Sequence, residues 1–113
     1  MAVKRSDLLD HLRRTRYGPG DSVSARRDAQ AIADMLKERH GAEVWGIGSL
    51  FEPGRPFRKG SDIDLVVRGV SKDCFFEALA EAQALTDWSL DLIPWEAAND
   101  LIREIVQESG VPL

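Results

Sequence analysis

The chain has 113 residues, 43% hydrophobic and 30% charged, which is the size and composition of one folded domain with a single core. No apolar stretch approaches the roughly 18 residues that a membrane helix requires, and the opening MAVKRSDLLDHLRR lacks the apolar centre of a signal peptide, so a cytoplasmic protein without membrane association is expected. The net charge of -4 is unevenly spread: residues 1–27 carry seven Lys/Arg against three Asp/Glu, and residues 69–113 carry two against nine, a balance that argues against general nucleic-acid binding and suits an oppositely charged protein partner as well as it suits solvated faces.

Ser6 is placed to cap a first helix running to about Arg16, which Gly18-Pro19-Gly20 terminates. Residues 1–20 are thereby set off as an N-terminal helical extension from a domain spanning 21–113. Ser24 is the expected cap of a second helix, in which Ala29, Ile32, Ala33 and Leu36 fall at i, i+3, i+4, i+7 before Gly41 closes it. A short strand follows from Glu43 to Ile47, then a turn at Gly48-Ser49. The stretch Leu50 to Gly60 has the composition of a loop, with Pro53, Gly54, Pro56 and Gly60 among Arg55, Arg58 and Lys59.

A strand is predicted over 62–68. Ser71 begins a helix that runs to about Leu85 and gathers Phe75, Leu79 and Ala82 on one face. Trp88 to Ile93 reads as a third strand ended by Pro94, and a last helix carries Ala98, Leu101, Ile102 and Ile105 at core spacing before Gly110. The order of elements predicts an α+β domain, a small mixed sheet covered by helices. Cys74, the single cysteine, sits in Asp73-Cys74-Phe75-Phe76 and is expected to be a buried thiol. His11 and His40 are expected at the surface.

The chemistry concentrates in Gly60-Ser61-Asp62-Ile63-Asp64-Leu65-Val66-Val67. Alternate residues of a strand share a face, so Asp62 and Asp64 point the same way with Cα atoms roughly 6.5 Å apart. Two like charges on one face resist burial and are accommodated either by a cation between them or by open solvent at a strand end. Asp91, in Trp88-Ser89-Leu90-Asp91-Leu92-Ile93, is flanked by apolar residues in the same manner. If its strand lies beside 62–68, the three carboxylates surround one site, a hard oxygen set suited to magnesium. Gly48-Ser49 offers a glycine that permits close backbone approach, a hydroxyl and N–H groups for a phosphate.

Together Gly48-Ser49, Ser61-Asp62-Ile63-Asp64-Leu65 and Asp91-Leu92-Ile93-Pro94 resemble the minimal nucleotidyltransferases of the DNA polymerase beta superfamily, whose pattern is a Gly-Ser turn, an Asp-x-Asp and a later strand aspartate. The likeness spans about residues 25 to 113 and takes in the tail Ile105-Val106-Gln107-Glu108-Ser109-Gly110-Val111-Pro112-Leu113. It implies a nucleotidyltransferase domain over 21–113. One departure stands out: many members carry Ala-Arg-Gly soon after the Gly-Ser, where this chain has Leu50-Phe51-Glu52-Pro53-Gly54-Arg55 and a loop about two residues longer. The charge toward a triphosphate then falls to Arg55, Arg58 or Lys59, against solvated loop charges as the alternative.

By this resemblance, Asp62, Asp64 and Asp91 would bind two Mg2+ ions, and Asp91 would also orient or deprotonate the attacking hydroxyl, with ATP as substrate and Gly48, Ser49 and Ser61 at the nucleotide. Small stand-alone members resemble the antitoxin half of HEPN/MNT pairs, which implies transfer of AMP to a HEPN-domain ribonuclease toxin. Neutralisation by contact alone, and transfer to a small molecule such as an aminoglycoside, are the alternatives; the lack of an evident second domain to enclose a small substrate favours a protein acceptor. Self-association is left open.

Overall fold

The computed structural model describes residues 21–54, 57 and 62–113. The expected first helix and extension over 1–20, with His11, lie outside the described residues. Three helices and four strands follow in the order α1 (Asp21–His40), β1 (Glu43–Ile47), β2 (Ile63–Arg68), α2 (Lys72–Gln83), β3 (Leu90–Pro94), a 3-10 turn (Trp95–Ala97), α3 (Asp100–Ser109) and β4 (Val111–Pro112). The sheet order is β3-β2-β1-β4. β1 pairs antiparallel with both β2 and β4, whereas β2 and β3 are parallel, α2 making the crossover.

Each face of the sheet has its own covering. On one, Ile63, Leu65 and Val67 of β2 meet Val44 and Leu92 beneath α1 and α2, where Ala25, Ala29, Ile32, Ala33, Leu36, Ala78 and Ala82 are fully buried. On the other, Val66 and Ile47 pack with Val106, Ile102 and Ile105 of α3 and with Trp45, Ile93 and Trp95. Central β2 is therefore apolar on both sides, which is why its sequence runs Leu-Val-Val rather than alternating. Burying an aliphatic side chain such as Ile32, Leu36 or Leu65 contributes about 1.5–3 kcal/mol.

Several boundaries differ from the sequence reading for identifiable reasons. Ser24 lies inside α1, because Ala25, like Ala29, must be helical to reach the core. Pro94 is part of β3 rather than its terminator: β3 is an edge strand, where a proline has no partner to lose on its outer side. Ala98 precedes the last helix, whose cap is Asn99, its side chain accepting the Ile102 N–H at 2.9 Å. Leu101 is 63% exposed, since the buried stripe is Ile102, Ile105 and Val106, and an adjacent helical residue faces elsewhere. Helix α2 stops at Gln83 rather than Leu85. Cys74 is half-buried rather than buried. His40 is not at the surface: it is largely covered, with Nε2 3.5 Å from Glu81 Oε1 between α1 and α2, where Arg39 also pairs with Glu81.

Candidate active site

The loop after β1 is shaped by its apolar residues. Leu50 and Phe51 are 5% and 3% exposed, although the surrounding stretch reads as a polar loop. The Phe51 ring lies over Gly46, where a Cβ would stand 2.5 Å from three ring carbons, so only glycine admits this approach. The Gly48 carbonyl accepts N–H bonds from Phe51 and Glu52, both at 3.1 Å, closing the turn that carries Ser49. Further along, Phe57 packs edge-on against Trp88 with ring centroids 5.2 Å apart. The loop is thus anchored to the core at each aromatic, and the Gly48-Ser49 turn has a fixed base.

Register brings the acids together. Asp64, second residue of β2, is paired with Asp91, second residue of β3, and on its other side with Ile47, the last residue of β1. Residues opposite each other across a ladder project to the same face, so Asp64 and Asp91 stand side by side on the face that α3 covers. They lie beyond the apolar patch of Val66 and Ile93, at the end where that cover stops. Asp62 is exposed, immediately before β2; Asp64 is half-buried; Asp91 is exposed. Gly48 turns at φ 81°, and a Cβ there would sit 2.6 Å from Asp64 Oδ2. The end of β1, the start of β2 and the start of β3 thus converge on one spot. Ser49 is half-buried in the adjoining turn. Ser61, Arg55, Arg58 and Lys59 lie outside the described residues.

The donors are carboxylate oxygens, the type that hard cations take, and the space at Gly48 that a Cβ would fill lets the Asp64 carboxylate approach the turn. Among the described residues no group of three or more His, Cys, Asp and Glu is drawn together as a ready metal cluster. Register, set by backbone hydrogen bonds, places Asp64 beside Asp91, while Asp62 is an exposed residue immediately before β2. The donor type, carboxylate oxygen, is the one magnesium takes, and two of the three carboxylates are adjacent.

Sequence reasoning missed Arg26 on α1, whose Nε donates to the Leu50 carbonyl at 3.1 Å and whose guanidinium lies 4.9 Å from the Phe51 ring centroid. No local pattern marks it, because the contact spans 24 positions. Among the described residues no helix is long and apolar enough to cross a membrane.

A direct test of the turn is Gly48→Ala. The new methyl meets Asp64 Oδ2 and the backbone there is at a positive φ, which costs an alanine about 1–2 kcal/mol before the contact is counted. The variant should melt several degrees lower; an unchanged melting curve would mean that the turn is not held in this conformation.

No protein-family model matches the chain, and no curated protein matches it in sequence. Solved structures do. The toxin-antitoxin MntA-HepT complex matches with a TM-score of 0.56 and 16% identity over 77% of this chain and 69% of the other. A tyrosine-to-alanine mutant of that complex matches with a TM-score of 0.59 and 19% identity over 75% and 70% of the two chains. An Asp-to-Glu double mutant gives 0.57 and 17% over the same shares, 75% and 70%. At these identities the likeness is one of fold, and it agrees with the mixed sheet and its helices: the chain has the α+β fold of the minimal nucleotidyltransferases, represented by MntA.

Proposed function

We propose that this protein is a magnesium-dependent nucleotidyltransferase that moves AMP from ATP to a hydroxyl of a partner protein, and that it serves as the antitoxin of a HEPN-domain ribonuclease toxin in the cytoplasm. The observation that carries the reading is the pairing of Asp64 with Asp91 at the open end of the sheet, with the Gly48 turn against the Asp64 carboxylate. The partner class is supported by the solved complexes of the same fold, each a toxin-antitoxin structure.

Asp62, Asp64 and Asp91 would hold the metal. Magnesium there would supply positive charge at the phosphates and lower the barrier to in-line displacement. The protein's own residues do the rest. The Gly48-Ser49 turn presents its hydroxyl and backbone to the triphosphate. Asp91, an exposed side chain beside Asp64, orients the acceptor hydroxyl and takes its proton as the oxygen bonds to the α-phosphorus. The bond from that phosphorus to the β-phosphate oxygen breaks, and pyrophosphate leaves.

The test is incubation of the full chain with α-labelled ATP, Mg2+ and the HEPN protein encoded beside it. Label should appear on the partner, and EDTA present during the incubation should prevent it. Tight complex formation without label would replace this reading by neutralisation through contact alone, and label on an added aminoglycoside would move the acceptor to a small molecule. Failure to bind ATP at all would remove the enzymatic reading.

A further inference from the structure

We infer that Arg26 is a positioning residue for the nucleotide: from α1 it locks the turn that carries Gly48 and Ser49 in the conformation a triphosphate needs. The inference rests on the nucleotidyltransferase reading above and adds a residue to it.

Three contacts carry it. Arg26 Nε donates to the carbonyl of Leu50 at 3.1 Å, so the Leu50–Phe51 peptide group is tied to the helix. The same guanidinium lies over the Phe51 ring, 4.9 Å from its centroid, and Phe51 is itself pressed onto Gly46 of β1. The helix that bears Arg26 is held fast at this point, because its neighbour Ala25 is fully buried, as is Ala29 one turn on. One side chain therefore connects a core helix to both residues that follow Ser49. The turn's own bonds, from the Phe51 and Glu52 N–H groups to the Gly48 carbonyl, close it locally, and the burial of Leu50 and Phe51 holds its base. Arg26 adds a tie from α1 to that base, and the tilt of the turn decides where the Ser49 hydroxyl and its backbone stand relative to Asp64.

Lysine cannot substitute. Arg26 uses a planar group in two ways at once, an in-plane N–H donor and a flat face on an aromatic ring, whereas an ammonium is a compact point charge on a flexible stem. This separates positioning from mere charge. If Arg26 served only as a cation near an anionic nucleotide, Arg26→Lys would retain most of the binding.

The experiment compares the wild-type chain with Arg26→Lys and Arg26→Met, measuring thermal melting and the affinity for Mg·ATP by calorimetry, followed by KM and kcat with the labelled-transfer assay. A binding turn that must be ordered when the ligand arrives loses affinity on the order of tenfold relative to one already held in place. Both variants should therefore show at least a roughly tenfold rise in Kd and KM for ATP, with kcat changed much less and with the folded state retained. Recovery of wild-type affinity in Arg26→Lys would overturn positioning in favour of charge. Wild-type affinity in both variants, or a lowered melting temperature with affinity intact, would overturn any nucleotide role and leave Arg26 a structural clamp. Should Arg26→Met fail to fold, Arg26→Lys alone decides, since it preserves the aliphatic stem and the charge. If the wild type itself binds no Mg·ATP, it is the nucleotidyltransferase reading that falls, so the two failures are distinct.

Discussion

Replacing Asp64 with alanine is expected to abolish nucleotidyl transfer while leaving a folded protein. Asp64 is the pivot of the site: it pairs with Asp91 across one ladder, with Ile47 across the other, and its Oδ2 lies against the Gly48 turn. Losing several kcal/mol of charge stabilisation, at about 1.4 kcal/mol for each factor of ten, means a fall in kcat/KM of roughly a thousandfold or more. The fold should survive because the residues that hold β2 are Ile63, Leu65, Val66 and Val67, all fully buried, and because the change removes one of two like charges set side by side. Turnover and melting are measured on the same preparation. Full turnover with Mg2+ and ATP would show that Asp64 is no metal ligand, and a collapse of the fold would make the carboxylate structural instead.

The placement of Asp64 shows what was legible in the sequence. Ala29, Ile32, Ala33 and Leu36 repeat at helical spacing and all are fully buried, so the core-facing stripe of α1 follows from spacing alone. The apolar run of β2 foretold its burial, and the acids at its start could be assigned to a strand mouth by alternation. What alternation could not give is register: that Asp64 faces Asp91, rather than a residue one or two positions away, is set by how β3 slides along β2. The family resemblance implied a grouping of Asp62, Asp64 and Asp91, and the ladder sets the last two side by side.

The rest was hidden for different reasons. Strand β4 has two residues, Val111 and Pro112, too few to show any period, and it exists only because β1 leaves an edge for it. The loop after Gly48 reads as polar by its charges and prolines, yet Leu50 and Phe51 fix it; a pair of apolar residues in a polar stretch was the available signal. Arg26 carried no signal at all. Leu101 misled because Leu101, Ile102 and Ile105 together fit more than one stripe, and the choice between stripes is made by Ile93 on the sheet and Trp95 in the 3-10 turn.

The Asp91→Asn variant is expected to separate catalysis from contact. Asp91 is exposed on an edge strand, so the amide, equal in size, should change stability by no more than about 0.5 kcal/mol. It removes the charge that would complete the metal site and the base that would take the hydroxyl proton. General acid–base contributions are typically about 10²–10⁴-fold, and kcat should fall by roughly that factor. The KM for ATP should move only a few-fold, since Asp62, Asp64 and the Gly48-Ser49 turn are untouched. Binding to the partner, measured by co-purification, should equal wild type. In cells expressing the toxin, this variant then gives an unambiguous reading. Growth arrest with the variant bound means that neutralisation required transfer of AMP. Survival with an unmodified toxin in the complex means that occupying the toxin suffices, and the enzymatic account of the antitoxin is overturned even if the wild-type chain transfers AMP in the test tube.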